Sequence, residues 1–147
     1  MSPDERRAGF TLVEMLAVMT LVALISSLAV VMIPGSGRAR LKAVVMDTAA
    51  LLRRERVGAI LTGRDRHVSL DVGRRTLVGD DGGKVAIPAD ISVDILGEDA
   101  SWAGRRAVTS FHADGASSGG VLRFSREKLQ YEVRVSWYTG GVAVEAR

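Results

Sequence analysis

Glu14 is the one ionisable side chain between Arg7 and Arg38, and it stands near the head of an apolar run. A carboxylate at the edge of hydrocarbon costs on the order of a few kcal/mol unless a cation meets it, so an acid kept there points to ion pairing. A cut between Gly9 and Phe10 would create an α-amine one helical turn before Glu14, within reach in the same chain or a neighbouring one. The acid also sits favourably against the positive end of a helix dipole. Other chemistry has few carriers. The chain has no cysteine, which excludes disulfides, thiolate metal sites and cysteine nucleophiles, and its two histidines, His67 and His112, lack both the spacing of a helical zinc site and a serine–acid constellation. His112, two residues before Asp114, is expected to be a satisfied surface histidine. Residues 115–120 are glycine-rich but have neither the lysine of a phosphate-binding loop nor a following helix, so a turn is expected. Asp80-Asp81-Gly82-Gly83 lacks the remaining oxygen ligands of a calcium loop and is expected to be a solvated turn. Trp102, Trp137 and Tyr138 are expected at the core and its rim rather than as stacking platforms. No catalytic residue, metal or cofactor is expected, and the chain is not expected to be an enzyme.

The element that carries Glu14 is a candidate membrane span. Residues 15–33 bear no charge, with only Thr20, Ser26 and Ser27 as polar interruptions. As a helix they would reach roughly 28 Å, about the thickness of a bilayer's hydrocarbon core. A cleaved secretory signal is the competing reading. Its apolar region would be unusually long and would hold an acid, although Ser27-Leu28-Ala29 offers a small-x-small cleavage pattern. Charge is divided along the 147 residues: the net +3 combines a neutral leader and the single acid Glu14 with a strongly basic stretch over 38–75 and a slightly acidic remainder. That basic stretch, Arg53, Arg54, Arg56, Arg64 and Arg66 included, suits lipid headgroups and acidic protein surfaces, with nucleic acid the minority alternative. Arg38, Arg40 and Lys42 after the apolar run outnumber Arg6 and Arg7 before it, which on charge counting alone favours the wrong side for an exported domain, so the positive-inside argument does not settle the topology.

Pro34-Gly35-Ser36-Gly37 interrupts the helical pattern, and a kink or local melting is expected there. Leu41, Val44, Val45, Thr48, Leu51 and Leu52 then recur at helical spacing, continuing to Ile60 and Leu61, with Gly63 as the C-terminal glycine. Beyond it the pattern alternates. Residues 67–72 and 76–78 predict a hairpin turning at Gly73, and strands are expected over 91–95, 121–124, 131–137 and 142–145, with turns at 125–128 and 139–141.

Gly9-Phe10-Thr11-Leu12-Val13-Glu14, after a short charged leader and before an apolar helix, resembles the processing site of type IV pilins and type II secretion pseudopilins. The resemblance implies that a prepilin peptidase cuts after Gly9 and methylates the amine of Phe10, and that Glu14 pairs with the amine of an adjacent subunit during assembly. Residues 52–70, and residues 111–120 with 131–141, resemble the GspH/FimT class of minor pseudopilins and minor pilins. That class commonly continues Thr-Gly with a basic residue, whereas here Gly141 follows Gly140. The implied fold is α+β and pilin-like: a leader over 1–9, a transmembrane helix half over 10–33, a kink and amphipathic periplasmic half over 34–63, and an antiparallel β-domain over 64–147. The implied function is that of a structural minor pseudopilin of the bacterial type II secretion system, placed at or near the pseudopilus tip. Its implied partners are the other pseudopilins, the prepilin peptidase, the inner membrane and exported proteins. The alternative is a minor type IV pilin that captures DNA through the five arginines named above.

Overall fold

The computed structural model of the chain describes residues 10–32, 37–96, 101–102 and 104–147, with the backbone alone at 28–32 and 101–102. The leader with Gly9, and Pro34-Gly35-Ser36 of the expected kink, lie outside the described residues. The chain divides into two compact units, Met1–Gly35 and Ser36–Arg147.

The first unit contains helix α1, Leu12–Met32. Thr11 caps it: its hydroxyl accepts the Glu14 N–H at 3.2 Å, and its carbonyl accepts the first intrahelical bond, from Met15 N–H, at 3.2 Å. Within the helix the Thr20 hydroxyl donates to the carbonyls of Leu16 and Ala17, and the Ser27 hydroxyl donates to Leu24. These polar side chains therefore have backbone partners inside the helix, which is what an apolar surrounding demands. The described side chains of α1 are all exposed and, apart from Thr20, Ser26, Ser27 and Glu14, apolar. Among the described residues no helix is long and apolar enough to cross a membrane, and the described side chains of α1 stop at Ser27, short of the expected span.

Helix α2, Gly37–Thr62, opens the second unit. Leu41, Val45, Thr48, Leu52, Glu55 and Ala59 are fully buried, a stripe advancing by alternate steps of four and three. Ile60 and Leu61 were expected to continue it. They are 44% and 79% exposed, because the stripe runs through Glu55 to Ala59 and leaves the next two positions on the flank. The helix ends as expected: Gly63 takes a left-handed φ of 62°, and Arg64 N–H returns to the Ala59 carbonyl at 3.3 Å, the long bond of a Schellman cap.

Among the described residues nine strands follow: β1 Arg66–Asp71, β2 Thr76–Gly79, β3 Lys84–Ala86, β4 Ser92–Leu96, β5 Ser101–Trp102, β6 Arg105–Phe111, β7 Gly120–Arg126, β8 Leu129–Val135 and β9 Val142–Ala146. They form two antiparallel sheets, ordered β3-β2-β1-β6-β5 and β4-β7-β8-β9. The apolar stripe of α2 shares one core with both sheets, which supply Val68, Leu77, Phe111, Leu122, Phe124 and Val133. The α+β architecture expected from the alternation is thus present, with α2 as the helix packed on the sheets.

The expected β1–β2 hairpin is present and turns through residues 72–75, Gly73 included, with Arg75 in the left-handed region at φ 49°. Its guanidinium donates to the carbonyls of Ile87, Pro88 and Ile91, and this anchorage holds a conformation that a non-glycine residue otherwise avoids. The β7–β8 turn is tighter than expected: β7 continues through Arg126, leaving Glu127 and Lys128 as the turn, with Glu127 at φ 54°. Strand β8 ends at Val135, so Trp137 falls in the following loop. Trp137 and Tyr138 are 71% and 74% exposed and pack edge to face on each other, at 5.7 Å between ring centroids, instead of joining the core. The Trp102 side chain lies outside those described.

Candidate functional site

The head of α1 brings together Phe10, Thr11 and Glu14. Thr11 and Glu14 have the spacing of a capping box, and the Thr11 half of that exchange is formed. The threonine thereby fixes where the helix begins, and Glu14 lies in the first turn beside the unpaired N–H groups and the positive dipole end. Phe10 precedes the helix and is 79% exposed. This arrangement presents a carboxylate at the start of a stretch of exposed apolar side chains, able to accept hydrogen bonds from an ammonium group.

The five arginines are distributed differently from a phosphate-binding surface. Arg54 Nε lies 2.6 Å from Asp81 Oδ2, and Arg66 Nη1 lies 3.4 Å from Glu55 Oε2 and 4.0 Å from Asp81 Oδ2. Arg53 donates to the Val142 carbonyl at 3.1 Å, and Arg56 donates to the Gly115 carbonyl at 3.2 Å. Arg64 borders an open depression with Asp65, Arg66 and Asp80. Two of the five charges are therefore offset by carboxylates, and two others tie α2 to the start of β9 and to the loop after β6.

Glu55 is the residue that sequence reasoning passed over. It sits among three arginines in Arg53-Arg54-Glu55-Arg56 and looks like part of a solvated face, yet it is fully buried. Its place on the 41-45-48-52 stripe was the available signal. Gly79 makes room for it, since a Cβ there would overlap the Glu55 carboxylate. Burial foremost, and then a hydrogen bond with the Asp81 side chain, push the Glu55 carboxyl above its ordinary range. Asp81 is held below its ordinary range, chiefly by the same hydrogen bond and by the Gly83 N–H, with the cations of Arg54 and Arg66 adding to the effect.

Both histidines are satisfied by aspartates. His112 Nδ1 lies 3.0 Å from Asp65 Oδ2, and His67 Nδ1 lies 3.1 Å from Asp80 Oδ2, which also accepts the His67 N–H at 2.8 Å. The His112 hydrogen bond holds the Asp65 carboxyl below its usual value. In the second sheet Glu132 is buried beneath Arg123, Arg134 and Arg147, with Arg123 donating from Nε at 3.1 Å and Nη2 at 3.0 Å to one carboxylate oxygen. That bond is the main reason the Glu132 carboxyl lies below its usual range. A groove of about 420 Å³ runs between the sheets, bordered by Ser69, Thr109, Ser118, Leu96 and Val121. Among the described residues no group of histidine, aspartate and glutamate side chains is arranged to hold a metal ion.

The prokaryotic N-terminal methylation motif matches residues 5–30. The chain is 32% identical over 136 residues to type II secretion system protein H of Xanthomonas campestris pv. campestris, covering 91% of this chain and 80% of that protein. The structure is similar to that of the minor pseudopilin EpsH from the type 2 secretion system of Vibrio cholerae, with a TM-score of 0.56 and 20% identity over 71% of this chain and 95% of that one. It is also similar to the type IV minor pilin FimU of Pseudomonas aeruginosa, with a TM-score of 0.55 and 14% identity over 78% of this chain and 97% of the other. At these identities the two structures share a fold with this chain.

Proposed function

We propose, from the premise that the chain belongs to the type II secretion system protein H family of minor pseudopilins, that its two units divide the work of a filament subunit. Residues 10–33 anchor the precursor in the inner membrane and later pack in the pseudopilus. Residues 34–147 form the periplasmic part that meets other pseudopilins at or near the tip. The role is structural. The observation that carries this reading is the head of α1, where Thr11 starts the helix and Glu14 stands in its first turn at the entrance of an exposed apolar stretch. A prepilin peptidase cuts after Gly9, and the methylated amine of Phe10 becomes the new terminus. Glu14 then accepts the amine of a neighbouring subunit in the apolar filament core, where an uncompensated carboxylate would be costly.

N-terminal mass analysis of the protein extracted from membranes that contain a prepilin peptidase tests the processing step. The expected mature chain begins at methylated Phe10. A terminus at Val30 would instead establish cleavage of a secretory signal.

A further inference from the structure

Glu55 and Asp81 come from different elements: the buried face of α2 and the turn between β2 and β3. The Asp81 N–H donates to Glu55 Oε1 at 3.4 Å, and both carboxylates face Arg66 Nη1, at 3.4 Å from Glu55 and 4.0 Å from Asp81, which sets them side by side where one proton can be shared. Asp81 Oδ1 accepts the Gly83 N–H at 3.0 Å, which fixes the carboxylate within its own turn. Two carboxylates can share a hydrogen bond only if one of them keeps a proton. The charged groups facing the pair decide which one. Arg54 on α2 and Arg66 on β1 both address Asp81 Oδ2, while Glu55 Oε2 has only Arg66, at 3.4 Å. Asp80, the neighbouring acid in the turn, is directed to His67. Glu55 is fully enclosed, whereas the Asp81 side chain retains 16% exposure. Charge is therefore better placed on Asp81.

We infer that Glu55 and Asp81 form a proton-holding clasp, in which neutral Glu55 donates its carboxyl proton to ionised Asp81 and thereby fastens α2 to the β2–β3 turn. Deprotonating Glu55 removes the donor and sets two like charges side by side, one of them on a fully enclosed side chain. The clasp then becomes a repulsive contact, and the β2–β3 turn is the element free to move away, since α2 is held along its whole stripe by both sheets. Gly79 belongs to the same device, because any side chain there would displace the Glu55 carboxyl.

The sign of the pH dependence follows from linkage. Glu55 binds its proton more tightly in the folded chain than in the unfolded one. Its stabilising contribution is thus complete below the ordinary value of 4.5 and is lost as pH rises from there through the raised folded value. Across that interval the folding equilibrium constant falls by up to tenfold per pH unit and then levels off.

The test compares thermal unfolding of the detergent-solubilised full chain, from pH 4.5 upward to 8, with that of Glu55→Gln. Glutamine keeps a donor but cannot ionise. The expected result is a wild-type melting temperature that declines with pH relative to the variant. Because every other ionisable group is common to the two proteins, the difference between the two profiles isolates Glu55. Parallel profiles would overturn the clasp. Should Glu55→Gln fail to fold, carboxyl ¹³C NMR of glutamate-labelled wild-type chain decides the matter. A Glu55 resonance titrating above the ordinary glutamate range, and moving downward in Asp81→Asn, supports the clasp; titration at or below that range overturns it.

Discussion

Glu132 and Glu55 are both buried glutamates in the β-bearing unit, and their surroundings act on them in opposite directions. Glu132 is met by three guanidinium groups, with Arg123 alone giving it two hydrogen bonds, so its charged form is the favoured one. Its contribution is present above the ordinary glutamate value of 4.5 and is lost as pH falls through its depressed folded value. We predict that Glu132→Gln lowers the urea midpoint of the chain at neutral pH, because three arginines lose their principal counter-charge. The same variant should show a shallower loss of stability as pH is lowered from neutral through and below 4.5, because the wild type gives up the Glu132 contribution as pH falls through its depressed folded value. Asp65 and Asp81 add to acid sensitivity in both proteins, so the slope is reduced and not abolished. Urea titrations across that range check the difference, and equal slopes would remove Glu132 from the account. Neither glutamate's role was legible in the sequence. Charge clusters suggest solvation, and only the tertiary stripe of α2 and the cross-strand register of Glu132 with Arg123 and Glu145 turn these acids inward or pair them.

Among the elements, both helices were legible, because an uninterrupted apolar run and a stripe at helical spacing survive without tertiary context. Strands β1, β2, β4, β7, β8 and β9 were legible from alternation or an apolar run. Strand β6 was not: it opens with Arg105 and Arg106, and a register shift opposite Val68 and Ser69 leaves the consecutive residues Val108 and Thr109 both buried, which erases the period of two. Strands β3 and β5 are too short to show a period. The basic cluster illustrates the same limit. Five arginines in fourteen positions suggest a phosphate-binding strip, but α2 directs Arg53 and Arg56 to backbone carbonyls and Arg54 to a carboxylate, and β1 directs Arg66 to carboxylates. We therefore predict only weak binding of duplex DNA by the domain from Arg38 onward, with Kd of ~10⁻⁴ to 10⁻⁶ M at physiological salt. Fluorescence anisotropy with a labelled duplex measures it. Sub-micromolar binding that disappears when Arg64 and Arg66 are replaced would favour a DNA-capturing pilin instead.

At the scale of the whole molecule, the chain joins an apolar helix whose described side chains lack cover to a unit with its own core. The second unit buries its apolar stripe within itself, whereas the described apolar side chains of the first are exposed. Glu14 lies in the first turn of α1, at the head of that exposed stretch. If its role ended with helix capping, leucine would serve there at the loss of no more than a local contact, and insertion would become easier. If it compensates the amine of a neighbour, Glu14→Leu leaves that cation unpaired in the filament core and removes a charge-assisted bond worth about 1.5–3 kcal/mol. The deciding measurement is co-purification of Glu14→Leu with the other minor pseudopilins from solubilised membranes. The account predicts a variant that is made, cut after Gly9 and held in the membrane, yet recovered without its partners; undiminished recovery of those partners would contradict it.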